Sequence, residues 1–251
     1  MNRFLTAAIP ARSALLLSLV CVTISGQNNV AILRFDVASV KPSTPGRGPH
    51  GTPLQISHGR VTLDDASLRQ MIGHAYGVQR VRVLNCPGWS ESKGFDVVAK
   101  AADPNATTDQ IRRMLQTLLL ERFKLAAHLE KREMPAYSLA VGKNGPKVRD
   151  AASGENGSLD DKPGQLVFKK APMSSLAALL ANILDTPVED RTGLTGLYDF
   201  TLPVGDRVAP GVTDPREILP YAVENIGLKL ELRRMAVEVV VIEHAEEPSP
   251  N

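Results

Sequence analysis

Cys86 is the most reactive side chain that the folded part of this chain offers, since a thiolate serves as nucleophile or metal ligand. The other cysteine, Cys21, falls in an apolar N-terminal segment. Nucleophilic work needs a neighbouring base, and the five histidines, His50, His58, His74, His128 and His244, form no catalytic string. Asn85-Cys86-Pro87-Gly88 reads instead as a turn carrying a free thiol. No Cys or His pair has metal-ligand spacing, and Asp64-Asp65 and Asp160-Asp161 lack the rest of a calcium loop. Ser57-His58-Gly59 and Gly73-His74 are not nucleophile elbows. Gly193-Leu194-Thr195-Gly196 has no following Lys-Ser/Thr pair, so it reads as a tight turn, braced by an Asp190–Arg191 ion pair, rather than a phosphate loop. Carboxylate pairs for glycoside hydrolysis meet in space, and nothing in the sequence favours one. These residues imply no metal, no cofactor and no catalytic set. Binding is better served. Trp89, the only Trp, follows Pro87-Gly88 and joins a large apolar area to one donor; Tyr76 and Arg191 are the other candidates for contact with a ligand.

The elements that must position them follow from periodicity. Leu68, Met71, Ile72 and Ala75 share one face of a helix over 67–76, capped by Asp64 or Asp65 and stopped by Gly77. Thr107 opens the clearest helix, with Ile111, Met114, Leu115, Leu118 and Leu119 as its stripe. A third helix spans 172–184 with Leu176, Leu179, Leu180 and Ile183 inward. A fourth spans 215–226, begun by Asp214 and Pro215 and ended by Gly227. Strands are predicted at 35–40, 60–63, 81–84, 94–100, 166–170 and 198–202. Two further pairs, 124–130 with 136–141 and 228–232 with 237–242, complete the set, the first as a hairpin through Lys131-Arg132-Glu133-Met134-Pro135.

The pattern occurs twice. Gly59–Leu63 is answered by Gly164–Phe168, Ser67–Tyr76 by Ser175–Leu184, Phe95-Asp96-Val97 by Tyr198-Asp199-Phe200, and Phe123-Lys124-Leu125 by Leu228-Lys229-Leu230, at offsets of 103 to 108 residues. The expected fold class is α+β, two tandem repeats of small sheets each covered by two helices. Residues 27–147 form the first repeat with an N-terminal strand, 148–165 a linker, 166–245 the second repeat and 246–251 a flexible tail.

Residues 1–26 read as a secretory signal peptide: Arg3 and Arg12, an apolar run from Ser13 to Val22, then small residues. The expectation is export to the periplasm or beyond, with no transmembrane segment in the mature chain. Without that segment the chain carries no net formal charge, so nucleic acid is not an expected partner. The halves differ, however. Residues 27–150 hold 18 Lys/Arg against 11 Asp/Glu, and residues 151–251 hold 9 against 16. Such an asymmetry reads first as drift in solvated surface charge; opposite fields that help the halves dock, or that steer an anionic partner to the first half, are the alternatives.

Several strings resemble one family. They are Phe35–Pro42, Pro87-Gly88-Trp89, Phe95-Asp96-Val97, Met114–Leu119 with Glu121-Arg122-Phe123, Arg191–Phe200 and Gly227–Leu230. Together they resemble the soil-associated, Solibacter-type group of uncharacterised exported proteins, a domain of unknown function expanded in acidobacteria. Related domains are attached to membrane sensor-peptidases similar to the beta-lactam receptor. By element order the repeat also resembles the short N-terminal domain of secretins and TonB-dependent receptors. The resemblance implies no assigned activity. The leading expectation is a non-enzymatic binding module of the cell envelope, its partner a protein, peptide or envelope component. A ligand-sensing ectodomain and a hydrolase with dispersed catalytic residues are the alternatives.

Overall fold

A computed structural model describes residues 32–44, 54–152, 157–204 and 214–248. The expected signal peptide, most of the Pro/Gly-rich loop over 42–53 and the last three residues of the tail lie outside the described residues. Those described form a mixed α/β fold with four α-helices and three four-stranded sheets. In chain order the strands are β1 (Val37–Pro42), β2 (Gln55–Ser57), β3 (Arg60–Ser67), β4 (Val83–Leu84), β5 (Gly94–Lys100) and β6 (Ala126–Val141). They continue with β7 (Arg149–Asp150), β8 (Ser158–Lys162), β9 (Gln165–Ala171), β10 (Val188–Asp190), β11 (Tyr198–Pro203) and β12 (Leu228–His244). The helices are α1 (Leu68–Tyr76), α2 (Thr108–Phe123), α3 (Met173–Leu184) and α4 (Pro215–Asn225).

Local chemistry explains the helix ends. Ser67, not Asp64 or Asp65, caps α1: its hydroxyl accepts from the Gln70 N–H while the Gln70 side chain accepts from the Ser67 N–H. Thr107 and Gln110 repeat that box at α2, whose expected stripe is buried throughout. Gly77, with φ +68°, closes α1. On α3 the inward face is rotated from the expected one. Met173, Leu176, Ala177, Leu180, Ala181 and Leu184 are buried, whereas Leu179 is half-buried and Ile183 is 39% exposed. Ala177 and Ala181 share that buried face with Leu176, Leu180 and Leu184.

The first sheet has the order β1-β5-β3-β2 and the third the order β7-β11-β9-β8. The middle sheet, β10-β6-β12-β4, draws strands from both halves of the chain. The expected hairpin through Lys131–Pro135 is absent; β6 is one 16-residue strand, antiparallel to β12 along its whole length. Pro135 is tolerated because of its direction. Tyr137 donates its N–H to Pro187 O, away from β12, so the nitrogen of Pro135 two residues earlier faces the same way, beyond the start of β10, where no ladder bond is lost. β4 lies parallel to β12 and β10 parallel to β6. Each half thus supplies an edge strand to the other half's long strand, an arrangement different from two sheets with separate helical covers. Within the stretch expected as a linker, β7 and β8 complete the third sheet. The tail is tied as far as Glu247 by Glu246 N–H to Phe123 O and by Lys93 to Glu247.

One core lies among α1, α2 and the first sheet, centred on Leu63, Leu68, Ile111 and Phe123. A second lies among α3, α4 and the third sheet, centred on Phe168, Leu176, Leu180 and Val223. The outer sheets share one further device. Asp64-Asp65 of β3 stand against the single Asp96 of β5, and Lys169-Lys170 of β9 stand against the single Asp199 of β11. Asp65 and Lys170 have φ of +55° and +47°. In both, the partner carboxylate accepts the displaced N–H: Asp65 N to Asp96 Oδ1 at 2.9 Å, and Lys170 N to Asp199 Oδ1 at 2.7 Å.

Candidate functional site

Two places gather polar side chains. The first is the seam between the halves. Gln79 forms a two-point pair with the Val188 backbone, donating Nε2 to its carbonyl at 2.6 Å and accepting its N–H at 3.0 Å. Arg82 reaches the same carbonyl and Glu189, at 3.1 and 3.0 Å. Glu91 accepts from Arg69 and Arg80, and Arg80 continues to Asp185 at 3.4 Å. Because β4 and β10 are opposite edges of the middle sheet, these contacts require the β6/β12 ribbon to curl. Two of these ion pairs, Arg80–Asp185 and Arg82–Glu189, join a base of the first half to an acid of the second. Each cation has its acid, so the seam is a clamp rather than an open receptor.

Cys86 borders this seam. Its thiol lies 3.6 Å from the Val83 carbonyl and beside the fully buried Ser90. Burial pushes its pKa up despite the nearby Arg69 and Arg80, so the thiol is held protonated. That is the opposite of what nucleophilic chemistry needs.

The second place is a groove of about 370 Å³ on the outward face of the third sheet. The two-residue alternation turns Phe168 and Phe200 into the core, where their rings stack at 4.5 Å, and turns their neighbours out. Val167, Lys169, Asp199 and Thr201 therefore line the groove, joined by Arg149, which is opposite Asp199, and by Lys147. Among the described residues Lys147, Arg149 and Lys169 have no carboxylate in ion-pair range, and the Asp199 carboxylate is engaged by the Lys170 N–H. Sequence reasoning missed this groove, because its residues come from three strands whose pairing is set by long-range register.

The candidates Trp89, Tyr76 and Arg191 fall elsewhere. Trp89 stacks on Phe123 at 6.4 Å and 12° and meets Phe95 edge-on at 6.4 Å, closing the first core. Tyr76 ends α1 half-buried against that core, its phenol pKa raised by burial. Arg191 is exposed and extends the pairing of β10 through its N–H to Leu139 O at 2.8 Å. Among the described residues no hydrogen bond, ion pair or ring contact joins the three. The turn after β10 is braced by Asp190 accepting from Thr192 N and Oγ1, in place of the expected Asp190–Arg191 pair. Among the described residues no three of His, Cys, Asp and Glu converge as metal ligands. None of the helices there is long and apolar enough to cross a membrane.

The family model described as "Protein of unknown function (DUF3738)" matches residues 69–245, from α1 to the end of β12. The chain belongs to this family. The DUF3738 match takes in the seam, the groove and all four helices apart from the first residue of α1, and β1–β3 precede it. No curated protein and no solved structure matches the chain.

Proposed function

We propose that this DUF3738 protein is an exported, non-enzymatic recognition module of the cell envelope, built by duplication of one β–α unit. The duplication is supported by the matching strand orders of the outer sheets and by the bulge with its Asp anchor in each. The observation that carries the recognition reading is that each outer sheet packs one face on a core and presents the other outward. Val37, Val98 and Lys100 are exposed on the first such face, and Arg149, Lys169 and Thr201 on the third sheet. A face left exposed among the described residues is a surface on which a partner can be seated without disturbing the core. Burial of the Cys86 thiol, which raises its pKa, speaks against that residue as a nucleophile.

The test is a crosslinking capture from envelope extract with the mature chain, residues 27–251, beside Val98→Glu and Thr201→Glu variants. The same envelope component should be enriched by the parent chain and lost with one variant while both variants melt like the parent. Equal capture by all three chains, or none above an unfolded control, removes the reading. Export is tested separately, by the N-terminal mass of the chain recovered from the periplasmic fraction.

A further inference from the structure

The two outward faces share an architecture and differ in charge. At equivalent positions around the bulges the first sheet carries Lys41, Asp64 and Asp96, whereas the third carries Arg149, Lys169 and Asp199. One acid has been exchanged for a base, and Lys147 adds another cation beside it. The groove on the third sheet therefore holds three cations and one acid, a formal charge of +2. Its acid is already bound to a backbone N–H, and its cations pair with no carboxylate among the described residues.

Uncompensated like charges held together on a rigid sheet repel one another, and an anion that neutralises them relieves the repulsion. Arg149 brings a planar fork suited to two oxygens of one oxyanion, and Lys147 and Lys169 bring mobile point charges. Val167 adds an apolar surface to the lining, and Thr201 a hydroxyl that can donate to an oxyanion. The volume, about 370 Å³, is at the lower end of small-molecule sites, which run from roughly 300 to 1,000 Å³.

We propose that this groove binds a phosphate monoester: the dianionic group sits on Arg149 between Lys147 and Lys169, and the organic body lies over Val167. The charge match selects phosphate over a single carboxylate, since a monoester carries about −1.5 to −2 at neutral pH. This inference rests on the recognition reading and names the ligand chemistry of one of its faces.

Inorganic phosphate is the probe. The isotope-labelled mature chain is titrated with phosphate, with acetate and with chloride at matched ionic strength, and amide shifts are followed by NMR. Phosphate should saturate a site whose shifts centre on Arg149, Val167–Lys169 and Asp199–Thr201. Arg149→Glu and Lys169→Glu should each weaken binding by about tenfold or more, as expected for loss of a charge-assisted contact. Both residues are exposed, so the variants should fold; Lys147→Glu gives a third, independent reading. Lys41→Glu, on the other sheet, should leave binding unchanged. Acetate binding as tight as phosphate, shifts equal to those in chloride, or unchanged affinity in all three groove variants would overturn the proposal. Envelope capture that persists alongside a groove silent to phosphate removes this inference alone; loss of capture as well removes the recognition reading with it.

Discussion

Asp96 and Asp199 show how a repeated string acquires a physical meaning. Each lies in an outer sheet strand, and each carboxylate satisfies a backbone N–H that a bulge has displaced from its ladder. Asp65, at the first bulge, is buried and accepts from the Ser43 hydroxyl, and its carboxylate lies over Gly94. A methyl group at Gly94 would stand 1.9 Å from Asp65 Oδ1. Asp96→Ala leaves a partly buried donor without its acceptor and should cost about 1–3 kcal/mol in urea unfolding, with Asp96→Asn recovering part of the loss. An Asp96→Ala chain as stable as the parent would show that the bulge holds without its anchor. His74 makes a second prediction. Burial, then the nearby Arg112, lower its pKa from 6.5. The unfolded chain thus takes up the proton first, and stability is lost as pH falls below about 6.5 toward the folded value. Urea midpoints should fall between about pH 7.5 and pH 5.5, and His74→Gln should flatten that fall. An unchanged slope in the variant would assign the pH dependence to other groups.

At the scale of elements, the α2 stripe was legible because its apolar spacing and Thr107–Gln110 box agree with each other. α3 was legible as a helix but not in its rotation. Leucine and alanine are both apolar, so the sequence alone leaves several faces nearly equal, and packing against β10 and α4 chooses the one that buries Ala177 and Ala181. The choice has a measurable consequence. Leu180 is fully buried and Leu179 only half-buried, so Leu180→Ala should cost about 2–5 kcal/mol and Leu179→Ala clearly less. Chemical denaturation of the two variants decides it, and equal losses would contradict this helix face. The unbroken β6 was not legible, because a proline in a charged stretch reads as a turn. Only the neighbouring strands reveal that the nitrogen of Pro135 faces a side without a partner. Among the described residues that stretch of edge has no partner strand, and a proline with Glu130, Arg132 and Glu133 there disfavours pairing with another chain.

For the whole molecule, the decisive feature is the exchange of edge strands between the halves. The sequence carries similar strings about 105 residues apart, yet strings cannot say which strand pairs with which. A self-contained repeat would place β4 beside β6 and β10 beside β12. The structure instead places β4 beside β12 and β10 beside β6, and the 16-residue β6 pairs along its length with β12. The groove was hidden for a related reason, its cations being gathered by the pairing of β9 with β11 and β11 with β7. If the halves are joined this way, neither can bury its long strand alone. Residues 27–147 expressed by themselves would expose the β12-facing edge of β6, and the first core would lose Val240 and Ile242. Residues 148–251 would likewise lose Tyr137 and Leu139 from the second core. Each half should therefore be aggregated or poorly dispersed by NMR when produced alone. Co-expression should restore a one-to-one complex with the spectrum of the intact chain, helped by the opposite charges of the halves. Breaking the seam in the intact chain is the milder form of the same test. Gln79→Ala leaves the Val188 N–H and carbonyl without their two-point partner and should lower stability by about 1–3 kcal/mol. Independent folding of either half to the parent's melting temperature would contradict the exchange and return the protein to two separate modules.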